Sequence, residues 1–169
     1  MGFRTDFEPV FFAPFVSSPM AIEPEWVETT GHLDMAYSYL LFERARTEAL
    51  ALLGLGLHYE RARRSSFATT EIQVRHLRGP GSGGPVRATV RLVDYDERRL
   101  HVFLQLHRAD EGWVFAVSEQ MVEHVDMASG RSIPFPDDVL ERISGMKAVH
   151  ASLPLPDAFG QRAGMPLRS

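Results

Sequence analysis

The segment from Met35 to Leu53, MAYSYLLFERARTEALALL, constrains the fold of this chain more than any other stretch. It holds no Gly or Pro and is rich in helix formers, so it predicts one continuous helix. About twenty residues at 1.5 Å each make it roughly 30 Å long. Its first half, MAYSYLLF, is apolar almost all round. Such a helix has to be surrounded by other elements, not laid on a surface. The following GLG, Gly54 to Gly56, supplies a C-terminal stop.

The surrounding elements are readable downstream. SFATTEIQVRHL is β-branched and aromatic at many positions, and PVRATVRLVDY alternates cleanly. Val86, Ala88, Val90 and Leu92 share one face of that strand, against Arg87, Thr89 and Arg91 on the other. LHVFLQLHR and WVFAVSEQMVEHV continue in the same style, with turns at GPGSGGP, DYDERR and ADEG. Three such connections make an antiparallel meander of four strands. A fifth strand within FVSSPMAIEPEW completes the expected α+β architecture, about five antiparallel strands wrapped around one central helix. A helix on one side of an open sheet is the competing picture, and the broad apolar surface favours the wrap. Beyond Asp126 a short helix is expected from Asp137 to Ile143, then a Pro/Gly-punctuated tail over 147–169, extended on the surface. The whole of 1–169 reads as a single domain without internal repeats.

Composition removes several classes of function. With 44% hydrophobic and 24% charged residues the chain is ordinary globular protein. A net charge of −4 argues against a nucleic-acid partner. The absence of cysteine removes disulfides, thiolate catalysis and thiolate-bound metal. Glu43, Arg44, Arg46 and Glu48 interrupt the longest apolar run, so no membrane span is expected. MGFRTDFEPVFFAPF lacks the apolar core of a signal peptide, and a soluble cytoplasmic protein is the expectation.

Chemistry concentrates just before the helix, where Glu28, Gly31, His32 and Asp34 cluster. The pattern Glu28, Gly31-His32-Leu33-Asp34, Tyr37, Phe42-Glu43, Ala45-Arg46 resembles the hotdog-fold acyl-CoA thioesterases of the 4-hydroxybenzoyl-CoA type. The likeness is closer to the thioesterase-like proteins associated with carnitine dehydrogenase. It runs on through DYDERRLHVFLQLHRADEGWVFAVSEQMVEHVDMASGRSIPFP. Two positions depart from the pattern. Glu28 stands where the family usually has Asp, and Asp34 where it usually has Asn.

The resemblance implies an acyl-CoA thioesterase with no cofactor beyond the coenzyme A of its substrate. It also implies a homodimer or a tetramer of dimers, with the pantetheine between subunits, and a functional link to carnitine metabolism. By position, Glu28 takes the role of the acid that attacks the thioester or activates water. Asp34 and Glu71 are the reserve carboxylates, and Asp34 has the alternative of capping the helix. Glu71, amid Thr and Ile, faces either the cleft or solvent. Backbone N–H groups at Gly31, His32 or Leu33 are candidates for the oxyanion, at the positive end of the helix dipole. Arg75, Arg78 and Arg131 are candidate partners for CoA phosphates. A betainyl group would carry a trimethylammonium that favours aromatic faces, for which Trp26, Tyr37, Tyr39 and Trp113 are available. His32 and Asp34 alone do not make a metal site. Two other readings stay open: a non-catalytic acyl-CoA-binding hotdog module, and a hotdog hydratase or dehydratase.

Overall fold

The computed structural model describes residues 11–165. Five strands form one antiparallel sheet in the order β1-β3-β4-β5-β2. They are β1 (Phe15–Val16), β2 (Ser65–His76), β3 (Val86–Tyr95), β4 (Arg99–Arg108) and β5 (Val114–Asp126). The central helix, α1, spans Met35–Leu52, one residue short of the expected end. Two further helices are α2 (Leu57–Arg63) and α3 (Asp137–His150).

α1 begins at Asp34, whose Oδ1 accepts the Ala36 N–H at 2.8 Å. It ends as its glycines require. Gly54 has φ +74°, its N–H donates to Ala51, and the Leu55 N–H reaches back to Leu50 at 3.0 Å. That pair of bonds satisfies the last carbonyls and buries Leu55 beside Leu50. Leu41, Phe42, Ala45, Ala49 and Leu50 form the stripe of α1 that is buried against the sheet. From the sheet, Val86, Ala88, Val90 and Leu92 face it together with Leu100, Val102, Leu104 and Leu106. The sheet face that carries α1 is called the inner face below.

Within this apolar contact lies one charged residue. Arg46 is buried, and its guanidinium donates to Thr69 Oγ1 at 2.8 Å and to Gln120 Oε1 at 2.5 Å. Burial holds its pKa below the usual arginine value, but the group stays a cation. Its bonds tie the middle of α1 to β2 and β5 at one point. Beside that point β2 carries a bulge: Thr69 pairs with Val122 and Glu71 with Met121, leaving Thr70 as the extra residue.

Three features differ from the sequence expectation. Only β3, β4 and β5 form a meander, because β2 pairs with β5 and the chain from Leu77 to Pro85 crosses over to reach β3. α2 was not anticipated, because Gly54 and Gly56 read only as a stop. It starts from Gly56 and buries Tyr59, whose hydroxyl lies 2.9 Å from His124 Nε2. α3 runs past Ile143 to His150, through Gly145. A glycine weakens a helix interior, but here the Phe11 ring occupies the space a Cβ would need. The extended tail therefore starts after His150. Its Phe159 lies edge-on to Phe103, 5.4 Å between centroids, on the outer face of the sheet.

Candidate active site

Glu28 and His32 sit opposite each other on a tight hairpin that feeds α1. Val27 and Leu33 pair as an antiparallel bridge. On either side, the Asp34 N–H donates to Trp26 and the Glu28 N–H to His32, both at 2.8 Å. Thr29, Thr30 and Gly31 close the loop, with the Gly31 N–H returning to the Glu28 carbonyl at 2.8 Å. Gly31 has φ +82°, the left-handed residue that a three-residue hairpin of this kind needs. Neighbouring residues on paired strands alternate in face. Buried Leu33 turns to the core, so Glu28 and His32 emerge together on the exposed side. Thr30 Oγ1 joins them loosely, donating to Glu28 Oε2 and lying near His32 Nδ1, each at 3.4 Å. With the hydroxyl proton on the carboxylate, His32 Nδ1 carries the proton of the second contact.

The far end of β2 closes on this hairpin. Beyond the bulge, Ile72, Val74 and His76 pair with Gln120, Ser118 and Ala116, all buried residues of the inner face. His76 thus projects on the side of α1. Three residues later Gly79 passes so near the hairpin that a Cβ there would collide with the Gly31 carbonyl oxygen. His76 is exposed at the edge of the sheet, and partial desolvation lowers its pKa below the ordinary imidazole value; His32 lowers it further, and Glu28 opposes them. One carboxylate and two imidazoles therefore share the mouth of α1. The sequence reading missed His76, although a period of two from Ile72 through Val74 points to it.

Sequence and structure comparisons agree with this architecture. A family model described as "Thioesterase-like superfamily" matches residues 22–143. The chain belongs to the thioesterase-like superfamily. It is 34% identical over 143 residues to a betainyl-CoA thioesterase of Pseudomonas aeruginosa, covering 85% of this chain and 90% of that protein. It is 33% identical, over 85% of its own length, to an L-carnitine dehydrogenase/betainyl-CoA thioesterase of Rhizobium meliloti, of which it spans only 29%. A Staphylococcus aureus protein solved in complex with CoA has the same fold, with a TM-score of 0.80 at 22% identity, covering 90% of this chain and 96% of that one. The fold is the hotdog fold, and the enzyme class is acyl-CoA thioesterase.

In this thioesterase-like chain the other candidate residues separate. Asp34 is the α1 cap, its Oδ1 engaged by Ala36. The Gly31 N–H is taken by Glu28 and is not free for an oxyanion. Among the described residues, no backbone carbonyl takes the N–H of His32 or Leu33. Glu71 does not join Glu28, because the bulge turns it to the outer face. There it lines a cavity of about 490 Å³ with His101, Glu119, Met121, Phe159 and Arg162.

The three arginines do not converge within one chain. Arg75 pairs with Val117 and faces outward, and Arg78 lies over the Trp113 ring at 4.8 Å. Arg131 follows the other end of β5, where Asp126 donates to its carbonyl. The nine residue steps from Val117 to Asp126 set that end about 30 Å away. Trp26 and Tyr37 stack at 4.5 Å and 5°, so each covers one face of the other. Trp113 packs instead with Arg78 and Phe115 and donates to Glu111.

Proposed function

We propose that the protein hydrolyses betainyl-CoA to betaine and free CoA, with Glu28 as the working carboxylate. The observation that carries this reading is the pairing of Glu28 with His32 on the exposed side of the hairpin at the mouth of α1. A carboxylate held there by one long hydroxyl contact is accessible to a thioester carbon or to water. The N–H groups of His32 and Leu33, at the positive end of α1, are the oxyanion donors. The Trp26–Tyr37 stack, next to Glu28 in the chain and in the first turn of α1, offers its outer faces to the trimethylammonium of the acyl group.

Arg75 and Arg78 lie at the same end of β2 as Glu28 and supply the cations for CoA phosphates. Arg131 reaches such a ligand only from a second subunit. β2 is an edge strand of twelve residues, and pairing it with its copy in a homodimer, or in a tetramer of such dimers, satisfies its free backbone groups. CoA enters only as part of the substrate, and a cytoplasmic reaction is the reading consistent with it. The relatives fused to L-carnitine dehydrogenase support a working link to that enzyme.

The test is thiol release from a panel of acyl-CoAs, with Glu28→Gln and Asp34→Asn in parallel. Betainyl-CoA should be turned over fastest, Glu28→Gln should fall by about 10²-fold or more, and Asp34→Asn should retain activity. CoA binding without turnover on any acyl-CoA would make the protein a binding module. Full activity in Glu28→Gln would remove Glu28 from the chemistry.

A further inference from the structure

We propose that His76 is the base of the hydrolytic step: its imidazole takes the proton of the water that releases the acyl group from Glu28. The inference rests on the proposed thioesterase reaction and adds a catalytic residue to it. Three observations support it. The strand register turns His76 to the inner face, opposite Ala116. The contact of Gly79 with the Gly31 turn holds that end of β2 against the hairpin. The charged groups that act on His76 are Glu28 and His32, both from the hairpin, while its partner on β5 is an uncharged alanine.

The chemistry needs such a group. In the first step a Glu28 oxygen forms a bond to the thioester carbon, and the C–S bond breaks with its electron pair leaving on the CoA sulfur. Glu28 is then an anhydride and no longer a base. In the second step water adds to the acyl carbon as its proton passes to His76. The bond between that carbon and the Glu28 oxygen breaks, its electron pair returns to the carboxylate, and the imidazolium passes its proton to the CoA thiolate or to solvent. An imidazole suits this transfer better than a second carboxylate, because its proton affinity lies nearer neutral pH. A neutral imidazole also leaves Glu28 unpaired for attack, and the lowered pKa of His76 favours that form.

The experiment is pre-steady-state thiol release by the full chain with betainyl-CoA, comparing wild type, His76→Gln and His76→Ala. His76→Gln should release about one thiol per site in a burst, then turn over about 10²-fold or more slowly. Imidazole in the buffer should restore part of the His76→Ala turnover. The wild-type kcat should fall as pH drops through the His76 pKa, which lies below the ordinary imidazole value of about 6.5, as the base becomes protonated. That acid limb should vanish in His76→Gln. Wild-type turnover in both variants would overturn the role of His76 and leave the thioesterase reading intact. Loss of the burst together with turnover, without imidazole rescue, would reduce His76 to a structural residue. No thiol release by the wild type from any acyl-CoA would remove the reaction itself, and this inference with it.

Discussion

Among the described residues two places bring glutamate and histidine together, and they differ in how far those groups are already occupied. On the outer face, Glu119 Oε2 lies 3.2 Å from His101 Nε2, and its other oxygen accepts the Gly160 N–H. The tail is anchored there again by Phe159 against His101 and Phe103, and by Gln73 to the Gln161 carbonyl. At the mouth of α1, the Glu28 carboxylate has, among the described residues, only the 3.4 Å contact from Thr30, and His32 and His76 share that end of the sheet. The outer site encloses about 490 Å³, yet its Glu119 and Gln73 are spent on holding the tail down. The mouth keeps its groups available. Capacity for chemistry follows that availability rather than the volume of a cavity.

The largest effect that distinguishes the two sites is on turnover. Glu119→Gln and Glu71→Gln should leave kcat within about two-fold of wild type, whereas Glu28→Gln loses two orders of magnitude or more. A comparable loss at Glu71 or Glu119 would break the contrast and move the chemistry to the outer face. A smaller effect separates capping from catalysis at the mouth. Asp34→Ala should cost about 1 kcal/mol by removing the cap on Ala36. That loss lowers Tm by roughly 2–4 °C in a chain of this size. Asp34→Asn, which caps as well, should match wild type in both thermal denaturation and turnover. The smallest effect belongs to the tail. Phe159→Ala should cost about 0.5–1.5 kcal/mol of aromatic contact and hasten proteolytic clipping beyond His150. Its kcat should not move, and a change there would tie the two sites together.

Much of this contrast is readable in the sequence, for physical reasons that differ by residue. The uninterrupted helix formers from Met35 and the alternation from Val86 to Leu92 depend on local periodicity, and both survive unchanged in the fold. Glu28, Gly31 and His32 are adjacent in the chain, so their grouping needs no tertiary information. The space that calls for glycine at 145 inside α3 is taken by Phe11, distant in sequence, and no local pattern reports it. The same holds for Arg78, which reads as a free cation until Trp113 is found beneath it. Asp34 has both meanings in the sequence, and its bond to Ala36 shows the capping one.

The extra residue at Thr70 works as a parity switch for the distal half of β2. Strict alternation from Thr69 would place Glu71, Gln73 and Arg75 on the inner face and Ile72, Val74 and His76 on the outer one. Deleting Thr70 would remove the extra residue and leave both sets on their present faces, whereas pairing every residue without the bulge would set Arg75 in the place of His76 opposite Ala116. One backbone step at Thr70 thus decides whether β2 presents an imidazole or a guanidinium beside the candidate reaction centre.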